Sequence, residues 1–168
     1  MNRRQASKGF TIIEVVLVLA IAGLIFLMVL FALPTLNRNQ RDSARKSEVG
    51  TVTGAITSYM GNNRNTIPTG AQIGSYITGN NSATLESGTN IIVRTTSFGG
   101  DITLSANLPG APSTGDNTLY ADQIKVYFGY KCDADNASQI VRGTAKQSAV
   151  TVALESGPST GSVYCQTN

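Results

Sequence analysis

The chain has 168 residues, a formal charge of +3 at neutral pH and no histidine, which leaves no His-based triad, no imidazole metal ligand and no general base of the commonest kind. The excess charge comes entirely from Arg3, Arg4 and Lys8. Without them ten basic and ten acidic side chains remain, and this balance does not indicate a nucleic-acid partner.

The first nine residues, MNRRQASKG, are polar and basic and end at Gly9. From Phe10 to Leu33 follow 24 residues, FTIIEVVLVLAIAGLIFLMVLFAL, apolar nearly throughout and bearing one charge, Glu14. A helix of that length rises about 36 Å and crosses a hydrocarbon core of about 30 Å. A carboxylate inside such a span is a functional candidate by default; the bland alternative is a side chain that reaches the headgroups. Ala20-Ile21-Ala22 satisfies the small-x-small pattern of an ordinary signal-peptidase site. The apolar run continues well past it, where a secretory h-region would have stopped. No cysteine lies near the span, so a lipoprotein anchor is excluded.

Beyond the span, Pro34 lacks a backbone donor and is expected to kink or interrupt a helix. Helical spacing then resumes through Leu36, Ala44, Val49, Val52, Ile56, Tyr59 and Met60. The reading is one long helix from about Phe10 to Asn62, kinked near Pro34, whose second half lays an apolar stripe on a globular part. Arg38, Arg41 and Arg45 form a basic row on it. Two readings of the row stand: a solvated face with local pairs from Asp42 to Lys46 and Glu48 to Arg45, or a contact with acidic side chains of neighbouring subunits. Contact with DNA is a third.

From Asn62 the texture changes to Gly, Asn, Ser and Thr between short apolar runs, marking a head over residues 63–168. Pro68 to Thr78 predicts a short helix around Ile73, Tyr76 and Ile77. Asn90 to Thr96 and Asp101 to Ser105 flank Phe98-Gly99-Gly100 and read as a hairpin. After a polar loop from Asn107 to Asp116 come the clearest strands. In Gln123 to Phe128 the side chains of Ile124, Val126 and Phe128 alternate with Gln123, Lys125 and Tyr127. In Ser148 to Glu155 those of Val150, Val152 and Leu154 alternate with Thr151, Ala153 and Glu155. Such a period predicts one buried and one wet face, with the long helix as the cover. Gln139 to Arg142 reads as a third member.

Cys132 and Cys165 lack metal-site spacing, and in an anchored chain they read as a disulfide in an oxidising compartment. That puts the head outside and the leader inside, a choice the basic residues on both sides of the span leave open. Asp133, Asp135 and Asn136 suggest a calcium loop but lack the glycine and distant glutamate of an EF-hand, and an ordinary polar turn is the plainer reading. No phosphate-binding glycine motif is present, and Asn80 and Asn136 begin sequons of a kind frequent by chance. No enzyme activity, cofactor or metal is expected.

The junction KG|FTIIEVVLVLAIAGLI, with Gly9, Phe10 and Glu14 at their spacing, resembles the class III signal of type IV prepilins. The resemblance implies a leader of residues 1–9, a transmembrane and filament-core helix over 10–33 and its continuation over 34–62. The fold it implies is α+β, the pilin ladle: a long N-terminal helix packed on a small antiparallel sheet. Prepilin peptidase is expected to cut between Gly9 and Phe10 and to methylate the Phe10 amine, with Glu14 and Phe10 pairing during assembly. Gly23 and Pro34 would bracket a helix segment that unwinds in the filament. The Cys132–Cys165 placement is similar to the disulfide-bounded region of these pilins. The implied role is a homopolymeric pilus subunit in motility, adhesion or DNA uptake, entering the filament from the inner membrane through an assembly platform. A minor pilin or pseudopilin of a type II secretion or competence system is the alternative. A membrane-tethered extracytoplasmic binding domain is a remote third.

Overall fold

The computed structural model describes residues 9–95, 101–107, 118–120, 122–156 and 162–168. Arg3, Arg4 and Lys8 of the leader, the Phe98-Gly99-Gly100 turn and all of the 107–116 loop except Asn107 lie outside these residues. The chain divides into two compact units with the boundary between Asn37 and Arg38.

Helix α1 (Ile12–Asn62) supplies all the described part of the first unit except residues 9–11 and continues into the second. Pro34 lies inside it without interrupting it. In the first unit every described residue is exposed, including Phe10, Phe26 and Phe31 at 77% or more. So large a continuous apolar surface requires lipid or protein to cover it.

The second unit is built on the remainder of α1. Val49, Val52, Ala55, Ile56 and Met60 recur at steps of one, three and four and are buried along one stripe. Tyr59 is half-buried, whereas Leu36 and Ala44 are exposed, so the buried apolar stripe starts later than the spacing suggests. Helix α2 (Gly70–Thr78) starts at a reciprocal cap in which Thr69 and Gln72 satisfy each other's backbone N–H groups. It ends at Gly79, whose φ of +69° is a left-handed conformation that suits glycine. Its buried Ile73 joins the same core.

The strands in chain order are β1 (Asn90–Arg94), β2 (Ile102–Thr103), β3 (Ser105–Asn107), β4 (Thr118–Tyr120), β5 (Gln123–Phe128), β6 (Tyr130–Cys132), β7 (Gln139–Arg142), β8 (Ser148–Leu154) and β9 (Ser162–Thr167). The main sheet has the order β1-β5-β8-β9. Strand β8 is antiparallel to β5 and β9, placing Val152 opposite Ile124 and Val150 opposite Val126. Strand β1 runs parallel to β5, so the sheet is mixed. The α+β plan of a long apolar N-terminal helix followed by a sheet head is the pilin layout.

Two expectations are corrected here. The proposed hairpin does not form: β1 pairs with β5, while the Asp101–Ser105 run supplies β2, which pairs antiparallel with β7. The alternating strands also have no wet face. All seven residues of β8 are buried, and so are the last five of β5. One face carries Ile124, Val126, Phe128, Val150, Val152 and Leu154 into the core with α1 and α2. The other sends Tyr127, Ala149 and Ala153 into a second core with Leu104, Leu119, Tyr130 and Ile140. Much of the cover comes from a second sheet, β2-β7-β6, and from the parallel pair β3-β4. Strand β7 is thus a strand as expected, but in this second sheet.

The α2 helix approaches the following loop so closely that a Cβ at Gly74 would lie 1.4 Å from the Ser82 carbonyl oxygen. Gly74→Ala must therefore displace backbone and is expected to destabilise the head by about 1–3 kcal/mol. Chemical denaturation of the detergent-solubilised chain checks this, and an unchanged midpoint would mean the loop yields freely.

Candidate functional site

Phe10 is 86% exposed and lies just ahead of the first turn of α1. Thr11 precedes the helix, and its carbonyl accepts the N–H groups of Glu14 (3.1 Å) and Val15 (3.4 Å). The Glu14 carboxylate folds back over this turn and accepts the Thr11 hydroxyl at 3.3 Å and, at 3.5 Å, its N–H. Thr11 and Glu14 stand at capping-box spacing, a local signal that the sequence reading passed over, and a negative group is favoured at a helix N-terminus. Glu14 has no cation partner among the described residues. Gly23 and Pro34 both lie in continuous helix, and a Cβ at Gly23 would meet open space.

Residues 4–30, which contain Phe10, Thr11, Glu14 and Gly23 but not Pro34, match a family model described as the prokaryotic N-terminal methylation motif. The chain carries the class III signal peptide of type IV pilins. The motif supports a type IV pilin-like or pseudopilin precursor, a structural class of protein. The motif implies processing by prepilin peptidase and assembly into pilus-like polymers. Signal and apolar helix together fit an inner-membrane precursor later assembled into a surface pilus. Comparisons with curated proteins and with solved structures found no match.

The basic row makes contacts within the chain that charge counting missed. Arg41 Nε donates to both carboxylate oxygens of Glu155, at 3.1 and 3.0 Å, and Arg45 Nη2 donates to Glu155 Oε1 at 2.8 Å. Between the arginines, Asp42 is 3% exposed and accepts the backbone N–H groups of Glu155 and Ser156, each at 2.8 Å. Arg45 approaches Asp42 at 3.6 Å. Arg41, Asp42 and Arg45 therefore clamp the end of β8 within the subunit. The expected Glu48–Arg45 pair is replaced by a hydrogen bond from Thr89 Oγ1 to Glu48 at 3.0 Å. Lys46 sits 5.6 Å from the centre of the Tyr164 ring rather than on Asp42.

Cys132 and Cys165 form the expected disulfide, with their Cα atoms 5.8 Å apart. It joins β6 of the second sheet to β9 of the main sheet. In the neighbouring turn Asp133 accepts the Asp135 N–H and Asn136 accepts the Ser138 N–H, each at 3.0 Å. These are the self-capping bonds of a polar turn.

Proposed function

We propose that this precursor is the structural subunit of a type IV pilus and polymerises through α1 once prepilin peptidase has cut between Gly9 and Phe10. The observation that carries this reading is the exposure of the whole Phe10–Leu33 surface with Glu14 as its one charge, inside a methylation motif. Methylation leaves the Phe10 amine positively charged, so a counter-charge for Glu14 becomes available on an adjacent copy. Two unit charges about 4 Å apart attract by about 4 kcal/mol at an effective dielectric of 20. Desolvation cancels much of this, and the pair sets register more than it adds stability. Packing of Ile12 to Leu33 against other copies supplies most of the holding free energy, and a repeated head-to-tail contact that does not close gives a filament. Partial unwinding between Gly23 and Pro34 would accompany that transfer from lipid.

Intact mass of the purified protein is expected to start at a methylated Phe10; a chain that still begins at Met1 refutes processing. Glu14→Ala is expected to be cleaved and retained in the membrane but absent from sheared surface fibres. Normal fibre yield from that variant removes the pairing role. The subunit composition of the fibres decides between major pilin and pseudopilin.

A further inference from the structure

Two of the three arginines in the basic row are consumed inside the subunit by Glu155 and Asp42. Arg38 is exposed and has no ion pair among the described residues. Several acids also lack an ion pair among the described residues, and two of them share a cleft. Glu48 and Glu86 line a cavity of about 350 Å³ between α1, the end of α2 and the loop before β1, and no cation pairs with either among the described residues.

The lining of the cleft combines acidic, hydroxyl and apolar side chains. Ile77 and Leu85 give it an apolar floor, the hydroxyls of Ser47 and Ser87 add acceptors at its rim, and Thr89 holds one oxygen of Glu48 at 3.0 Å. An arginine can lay its methylene stem on such a floor while its planar fork meets two carboxylates, which a compact ammonium does less well. Arg38 cannot enter the cleft of its own subunit. It lies ten residues before Glu48 on the same helix, about 15 Å along the axis and farther than its side chain extends.

We propose that the Glu48–Glu86 cleft receives Arg38 of a second copy of this chain, displaced along the helix axis. The proposal rests on the polymer reading above and adds a specific head-side contact to it. Repeated at every subunit, the contact fixes the axial register and rejects wrongly staggered copies through the like charges they would juxtapose.

The test expresses the full chain in cells that assemble fibres. Arg38→Glu is expected to lower sheared fibre yield by about tenfold, as is Glu48→Arg with Glu86→Arg, with cleavage and membrane level unchanged. Combining all three substitutions restores fibres to within about twofold of the parent, because the charges are exchanged rather than removed. Arg38→Cys with Glu86→Cys independently tests proximity, giving a ladder of disulfide-linked copies in oxidised fibres. A triple variant as poor in fibres as Arg38→Glu, together with no ladder, overturns the contact. Failure of the polymer reading looks different, since the parent chain would then form no fibres at all.

Discussion

Replacing Asp42 with alanine is expected to destabilise the folded head by about 2–4 kcal/mol, since two backbone donors lose a charged acceptor. The carboxylate is almost inaccessible, and its two oxygens each accept a backbone N–H at 2.8 Å from consecutive residues, Glu155 and Ser156. Alanine leaves both donors without their acceptor and takes one anion from Arg45, while the Arg41–Glu155 pair stays. The melting temperature of the detergent-solubilised chain should fall by roughly 10 °C. Asp42→Asn keeps one acceptor oxygen and should lose less.

The same cluster fixes the acid response. Burial opposes ionisation of Asp42, but hydrogen bonds from Ser156 and the Glu155 N–H, with the Arg45 charge, outweigh it and hold its pKa below the ordinary 3.8. The hydrogen bond from Arg41, supported by Arg45, holds Glu155 below its ordinary 4.5 against the effect of burial. Near those ordinary values the unfolded chain binds more protons than the folded one. The stabilisation is therefore complete above about pH 5 and disappears as pH falls through the depressed folded values. Asp42→Ala should flatten the melting temperature against pH below about 5. An unchanged melting temperature and an unchanged acid slope would show that the clamp contributes nothing.

The long helix, the two central strands and the cysteine pair were legible because each carries its own periodicity or chemistry. Val49, Val52, Ile56 and Met60 repeat at helical steps, and Ile124, Val126, Val150 and Val152 at strand steps, whatever lies around them. The second sheet was not legible. Strands β2, β3, β4 and β6 have two or three residues each, too few to show a period. Lys125 and Thr151 on the supposed wet face are polar types, yet both are buried, and nothing local records that short strands cover them. The hairpin reading failed because a glycine pair between two apolar runs looks the same whether the runs pair with each other or with distant strands. The clamp was hidden for a related reason: Arg41 and Glu155 are 114 positions apart, and charge type alone does not say which acid an arginine meets.

Removing the disulfide with Cys132→Ser and Cys165→Ser should cost about 3–4 kcal/mol, from the loop-closure entropy that a cross-link over 33 positions withholds from the unfolded chain. The loss should be uneven. Strand β9 is bonded within its sheet only to β8, and β6 only to β7, so the disulfide adds a cross-link between the two sheets to the backbone connections at Gly129 and between β7 and β8. Without it they are held by the second core and by contacts such as the Cys132 N–H to Thr167 Oγ1 bond at 2.9 Å. That core draws about half of its buried residues from short strands and a loop, whereas the first is anchored by the five buried apolar residues of α1. Amide hydrogen exchange on the detergent-solubilised double variant should show β6 and β7 losing protection while Val49 to Met60 of α1 and the centre of β8 keep theirs. Equal loss in both regions would mean that the two cores unfold as one cooperative unit. The second sheet would then be as essential to the helix-bearing layer as that layer is to it.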